Sequence, residues 1–387
     1  SYLEAQQRQA ATVGSIHAFV TTRGRVEDEQ AVSGHLNLSS KALLRNHQQQ
    51  STLMREVLET VRFDETTRQR DLVKQQLARR EQSITGNGHG LAMTAASAGM
   101  SPLARLHHEQ AGLEGIRRLR SLDEELSSAD GAGDFAGRLQ ALHETFEKAP
   151  LQILAIADEA HLDEVCEAID NAWSGHVSNA SGGGFTRPHL RERRGELWLA
   201  NTQVNFCARA YPTGPPQHPD APALTVLGGV LRNGFLHRAI REQGGAYGGG
   251  ASQDSGIAAF RFYSYRDPRL AETLADFDNA LDWMLDTPHE FRALEEAILG
   301  VVSSIDKPSS PAGEAKQHFH NRLYGRSHEQ REQFRAHVLA VTLDDLRRVT
   351  QTYLRPELAS TAVIAPAGMR DATTDLCEEL SLVVQEL

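Results

Sequence analysis

A chain of 387 residues, 40% hydrophobic and 24% charged, suits a globular protein of two domains better than one with a single core. Its net charge of -11 and the absence of any long basic block argue against a nucleic-acid partner, because phosphate binding is mostly electrostatic. No run approaches the roughly 18 residues a membrane helix needs, and three scattered cysteines (Cys166, Cys207, Cys377) argue against a disulfide framework or a cysteine-built zinc site.

The chain opens Ser1-Tyr2-Leu3-Glu4 without methionine or a basic-then-apolar leader, so the natural start is expected upstream and cytoplasmic residence is only the favoured expectation. Residues 13–22 and 30–39, rich in β-branched and alternating apolar side chains, read as strands. Leu53, Met54, Val57, Leu58 and Val61 then take up helical spacing. The next helix, about Glu65 to Ile84, is polar nearly all round and is expected to border a wet cavity. It ends at Gly86-Asn87-Gly88-His89-Gly90 and resumes as a run of small residues. His89, alone in a glycine turn, reads as a cap or a surface residue. Ser101-Pro102 starts a further helix, and Phe135 to Phe146 forms another. Leu151 to Ala157 reads as a short buried strand, followed by a helix from Leu162 to Trp173.

The composition turns to glycine, serine, proline and charge between Gly175 and Glu196, which marks an interdomain linker and the expected first site of proteolysis. The domains are accordingly set at 1–178 and 196–387, with 179–195 between them. Asn179-Ala180-Ser181 matches a glycosylation acceptor but lacks the secretory context that would give it weight. In the second part, 197–211 is a strand pair or one long strand, Asp220-Ala221-Pro222 caps a helix, and Asp267-Pro268 caps another. Further helices are expected from His289, Pro311 and Leu343, then a strand over 360–367 and a C-terminal helix to Leu387. The two terminal strands, at 151–157 and 360–367, each follow a helix and precede one. This suggests two related α+β domains, each a mainly antiparallel sheet covered on one face by helices.

Metal chemistry is absent from the pattern. Four His-Glu pairs occur (His108, His143, His289 and His328 with the next residue), but no two of the 17 histidines stand four apart. A zinc-protease helix needs two imidazoles on one face at that spacing. The reversed form also fails, since Val165 follows His161-Leu162-Asp163-Glu164. His318 and His320 lack a third ligand beside them. No nucleophile elbow or phosphate loop is present.

What remains is the stretch from Leu236 to Pro268. A basic helix end (His237, Arg238, Arg241) leads into Gly244, Gly245, Gly248, Gly249 and Gly250 around Tyr247, then into an apolar and aromatic strand over 256–265. Five glycines in seven residues signal either a flexible hairpin or a strand whose bare edge receives a peptide, with Arg241 and Tyr247 supplying the polar contacts.

This stretch resembles the C-terminal half of the pitrilysin/insulinase clan of zinc peptidases, and more specifically the presequence-protease subfamily. SGHLNLSSKAL, RQRDLVKQQLARRE and SITGNGHGLAMTAA in the first part agree, so the resemblance spans the chain. It implies a clamshell enzyme of two halves, each with two α+β domains. The N-terminal half would carry Zn2+ on the inverted motif, and the C-terminal half would close over a peptide. Arg241 and Tyr247 then match the clan's arginine and tyrosine, with Gly244 and Gly245 between them as part of the substrate-binding stretch. The zinc-binding half is not in this chain, so it is expected to hold no metal and to be inactive alone. Its expected partners are a peptide substrate and the N-terminal catalytic half of the same polypeptide. The alternative is an inactive scaffold subunit that pairs with an active homologue. Peptide preference and oligomeric state are not legible.

Overall fold

The computed structural model describes residues 2–176 and 186–387. In the first part a helix, α1 (Tyr2–Thr12), leads into an antiparallel pair, β1 (Ser15–Gly24) and β2 (Val32–Lys41), and then α2 (His47–Glu59). A long helix, α3 (Thr66–Ser97), is followed by α4 (Pro102–Ala111), α5 (Leu113–Glu125), α6 (Ala129–Glu147) and α7 (Leu162–Trp173). The second part opens with β3 (Gly195–Ala200), β4 (Phe206–Pro212) and α8 (Ala221–Leu231). The chain runs on without a break from α8 as a π-helix, Arg232–Gln243, whose wider turns are often found at functional sites. Next come β5 (Gly248–Asp254), β6 (Ala259–Tyr265), α9 (Ala271–Asp286), α10 (Phe291–Ile305), α11 (Pro311–Leu323), α12 (His328–Leu339) and α13 (Leu343–Tyr353). The chain closes with β7 (Ser360–Pro366), α14 (Thr374–Leu380) and β8 (Val383–Glu386). The fold class is α+β.

The second part's strands form one six-stranded mixed sheet in the order β5-β6-β4-β7-β3-β8. Strands β3 and β4, consecutive in sequence, are separated by β7, so residues 197–211 are two strands that do not pair with each other. The alternation along each strand explains the core. Leu197, Leu199, Cys207, Phe260, Phe262 and Val363 face one side, packed by α8, α9, α10 and α13. Trp198, Ala200, Phe206, Ala208, Ala210, Ala362 and Ile364 face the other. Being buried on both faces, these strands read as nearly continuous apolar runs.

The cover on that second face comes from the first part of the chain. The small residues Ala92, Ala95 and Ala96 of α3 are fully buried against the alanines of β4 and β7, and small side chains on both sides let helix and sheet approach closely. The run of small residues after Gly90 is therefore an interface. The earlier turns of α3, from Thr66 to Arg80, stay polar and at least partly exposed. The expected break at the glycines falls inside this element. The helix continues through a kink at Asn87, whose φ of -135° and ψ of 29° leave the helical region.

Other differences have local causes. Leu151–Ala157 is not a buried strand: it runs as coil and pairs with no strand among the described residues, leaving Leu151, Ile153, Leu154 and Ile156 exposed. Among the described residues the first part's sheet is thus only the β1–β2 pair. The C-terminus is not a helix to Leu387, because Val383–Glu386 adds to β3 as a parallel edge strand. Ser101 caps α4 as the spacing indicates, accepting from the Ala104 N–H. Asp220 does not cap α8; its carboxylate accepts from Arg348 and Tyr353 instead, and together they hold it below the usual range despite partial burial.

Residues 179–185 of the linker at 179–195, with Asn179-Ala180-Ser181, lie outside the described residues. Its described end is tied to both parts of the chain. Glu192 N–H donates to Gly99 O, Arg187 meets Glu109, and Arg193 Nε donates to Ala359 O at 2.8 Å.

Candidate functional site

The glycine segment turns out to be mostly strand. Gly248, Gly249 and Gly250 begin β5, which pairs with β6 from Gly248 opposite Tyr265 to Asp254 opposite Ala259. β5 is an edge strand, with β6 as its single partner among the described residues. A flexible hairpin therefore does not describe these glycines. Ladder hydrogen bonds from an aromatic partner strand hold them extended.

The turn itself is a helix terminus. The Ala246 N–H donates to Ile240 O at 3.1 Å and the Gly245 N–H to Arg241 O at 3.2 Å. The second bond is the one that closes a helix through a left-handed residue just beyond its end. Gly245 supplies that residue with φ +80°. Gly244 has a different reason to be glycine: a Cβ there would run into the Arg269 guanidinium. That guanidinium donates to Ala239 O at 3.3 Å and to Asp276 at 2.9 Å. Both glycines therefore shape the chain between Arg241 and Tyr247.

Arg241 and Tyr247 are presented at either end of this turn, and both are exposed, Tyr247 at 67%. Neither side chain makes a hydrogen bond or ion pair among the described residues. Glu242, next to Arg241 in sequence, is engaged with His237 at 3.3 Å, and Asp254, at the far end of β5, with Arg261 at 3.0 Å. Tyr247 does not pack beneath the strands. Its N–H donates to Tyr265 O at 3.0 Å, and its ring meets the Tyr265 ring edge-on, with centroids 5.4 Å apart at 86°. The phenol oxygen is thus left free on an otherwise anchored residue.

The ground beneath is well satisfied by contrast. Asp267, buried below the turn, accepts from Thr273 Oγ1 at 2.7 Å and from the Arg269 N–H at 3.0 Å. Burial nevertheless pushes its carboxyl above the ordinary range. Cys207 is fully buried beside it, its thiol pushed up to about 12 by desolvation, which makes it an inert core residue rather than a nucleophile.

Sequence reasoning missed the surroundings of His89. The ring is half-buried against Tyr263 and Tyr265 of β6, with centroids 5.6 and 4.7 Å away, so His89 is neither a cap nor a free surface residue. Burial holds its imidazole below the usual histidine range. The signal was the glycine on either side, which lets a backbone come close.

Zinc is the metal the resemblance implies for such an enzyme. Among the described residues no three His, Cys, Asp or Glu side chains gather where they could hold an ion. His318 and His320 lie on α11, and the nearby His35 bonds to Tyr324. The described residues do not fit a zinc site. No helix among them is long and apolar enough to cross a membrane.

Two family descriptions match the chain: the segment associated with subfamily C of the M16 peptidases over residues 1–122, and "PreP C-terminal domain" over 195–359. The chain belongs to subfamily C of the M16 peptidases and corresponds to its C-terminal half. Among individual relatives, a mitochondrial presequence protease of Yarrowia lipolytica is 29% identical over 341 residues, 86% of this chain and 34% of that protein. The chain spans about a third of the length of the first curated relatives it matches. Crystal structures agree on the fold. Pitrilysin superposes with a TM-score of 0.60 at 12% identity, over 99% of this chain and 39% of pitrilysin. A peptidase M16 inactive domain from Pseudomonas fluorescens gives 0.58 at 14% identity, over 94% and 83% of the two chains.

Proposed function

We propose that this chain is the non-catalytic C-terminal half of a zinc-dependent oligopeptidase, and that it binds and positions a peptide with Arg241 and Tyr247. One observation carries the reading. At the start of an edge strand, an arginine and a tyrosine are exposed and without polar partners among the described residues, while Glu242 and Arg269 beside the same turn are both paired.

The chemistry of each group follows from its type. The Arg241 guanidinium offers a planar fork of donors to a peptide carbonyl or carboxylate. The Tyr247 hydroxyl can donate to a carbonyl oxygen, and such a donor gains strength as charge grows on that oxygen. The open edge of β5 offers backbone N–H and C=O groups to an extended peptide, the mode in which main-chain bonds give affinity. Bond cleavage belongs to a zinc site on the N-terminal half, which supplies the activated water. This chain's contribution is to bind, orient and exclude solvent.

Peptide binding to the purified chain tests the reading. A fluorescent, unstructured peptide of about a dozen residues, long enough to pair along a strand, should bind saturably. Arg241→Ala should weaken it about tenfold, the loss typical of one charge-assisted hydrogen bond. A chain that binds no peptide but forms a stable complex with an active homologue would replace this reading with that of a pairing subunit.

A further inference from the structure

The kink of α3 lies against the same corner of the molecule. The Gly86 carbonyl stands one residue before the break at Asn87, and Tyr265 Oη donates to it at 3.4 Å. Three residues on, the His89 ring rests on Tyr265 and Tyr263. Gly88 makes the approach possible, since a Cβ there would fall 2.5 Å from the Phe206 ring, and Phe206 in turn packs on Tyr265 at 6.0 Å. Tyr265 is therefore held by α3 on one side while its ring and carbonyl hold Tyr247 on the other. Each step from the kink to Tyr247 is a ring contact or a hydrogen bond.

His89 has no simpler occupation. The helix runs on past it, so it caps nothing. It has no carboxylate partner and belongs to no metal cluster among the described residues. Its Nδ1 is buried without a hydrogen-bond partner. What it offers is a flat ring against two tyrosines, an arrangement worth more than its area because aromatic edges and faces attract.

We propose that His89 is a positioning residue for the peptide-binding corner. Tilted against Tyr265, it fixes the ring against which Tyr247 is set, so the first part of the chain completes a site whose contacting residues lie in the second. The inference rests on the reading of Arg241 and Tyr247 as peptide contacts. An exposed tyrosine loses rotamer freedom when a ligand engages it, and a side chain already set in place loses less.

The test is a binding cycle on the full chain, read by anisotropy of the same labelled peptide. His89→Ala should weaken binding about three- to tenfold, the span of one aromatic contact. The double variant with Tyr247→Ala should bind no more weakly than Tyr247→Ala alone, because His89 acts only through that ring. His89→Phe, which keeps a flat ring, should retain affinity, and His89→Leu should not. Unchanged affinity in His89→Ala would overturn the proposal. So would losses that multiply in the double variant, or equal affinities for the Phe and Leu variants, which also decide the matter if the alanine variant fails to fold. If Tyr247→Ala and Arg241→Ala themselves bind like the parent, the underlying reading fails and this one with it. If those two weaken binding and the His89 variants do not, only the present inference falls.

Discussion

Arg241 and Arg269 stand close to the same glycine turn and could hardly be treated more differently. Arg269 fills the space beside Gly244, ties the end of the π-helix through Ala239 O, and pairs with Asp276. Arg241 touches no polar partner among the described residues. The same contrast separates the fully buried sheet beneath, where Phe262 and Phe277 pack with centroids 5.5 Å apart, from the exposed Tyr247 above it. Residues below the turn secure the fold, and residues above it are available to something else. A substitution should therefore move stability or peptide affinity according to which side of the turn it lies on.

The largest expected effect lies deepest. Phe277 is completely buried among the helices and the sheet, so Phe277→Ala should cost about 3–5 kcal/mol. Chemical denaturation would measure it, and affinity per folded molecule should not change. A large loss of affinity with little loss of stability would break the division.

Gly245 lies on the boundary itself. With φ at +80°, alanine there should cost about 1–2 kcal/mol, the penalty of a left-handed residue with a Cβ. Because this residue sets the path from Arg241 to Tyr247, Gly245→Ala should lower affinity as well. A variant that loses stability and keeps full affinity would show that the turn does not align the two side chains.

How much of this was legible follows from which interactions are local. The capped start of α4, the interruption of α3 at its glycines and the exposed Arg241–Tyr247 pair could be read from neighbouring residues. The strand β5 was legible only as one of two alternatives. Its glycines have no β propensity of their own and are held extended by Tyr263 and Tyr265 across the ladder, a context that overrides propensity. Leu151–Ala157 is the opposite case, a segment with the composition of a strand that finds no partner strand among the described residues. The role of α3 as cover for a sheet about a hundred residues downstream is likewise non-local. The glycine-bracketed His89 gave notice of close packing without naming its partner.

Acid sensitivity offers a subtler comparison between the two parts of the chain, because their junction contains a buried histidine. His108 of α4 is 3% exposed and lies 3.9 Å from a Glu196 oxygen, with Trp198 beside it. Burial lowers its pKa from the ordinary value of about 6.5. The unfolded chain then takes up the proton first as pH falls, so stability is complete above about pH 6.5 and declines as the pH drops toward the lowered folded value. The melting temperature should fall between neutral and mildly acidic pH, and His108→Leu should flatten that part of the curve. An unchanged slope in the variant would assign the acid response to other groups.

The smallest expected change in stability is the most informative about function. Tyr247→Phe removes one hydroxyl that bonds to nothing among the described residues and keeps the ring that meets Tyr265. Arg241→Ala removes a guanidinium without an ion-pair partner there. Substitutions of this kind usually shift stability by less than about 0.5 kcal/mol, so both variants should melt with the parent. Their binding should nevertheless fall, Tyr247→Phe by the contribution of one hydrogen bond, which is about 0.5–1.5 kcal/mol or roughly a factor of two to ten. In the complete enzyme the same phenol would count for more: an oxyanion-type donor contributes on the order of 3 kcal/mol to the transition state, a hundredfold or more in rate. The two assays therefore separate a contact made only on binding from one that strengthens during reaction. A Tyr247→Phe chain that melts several degrees lower and binds peptide as the parent does would place the hydroxyl among the residues that hold the fold, on the same side of the turn as Arg269.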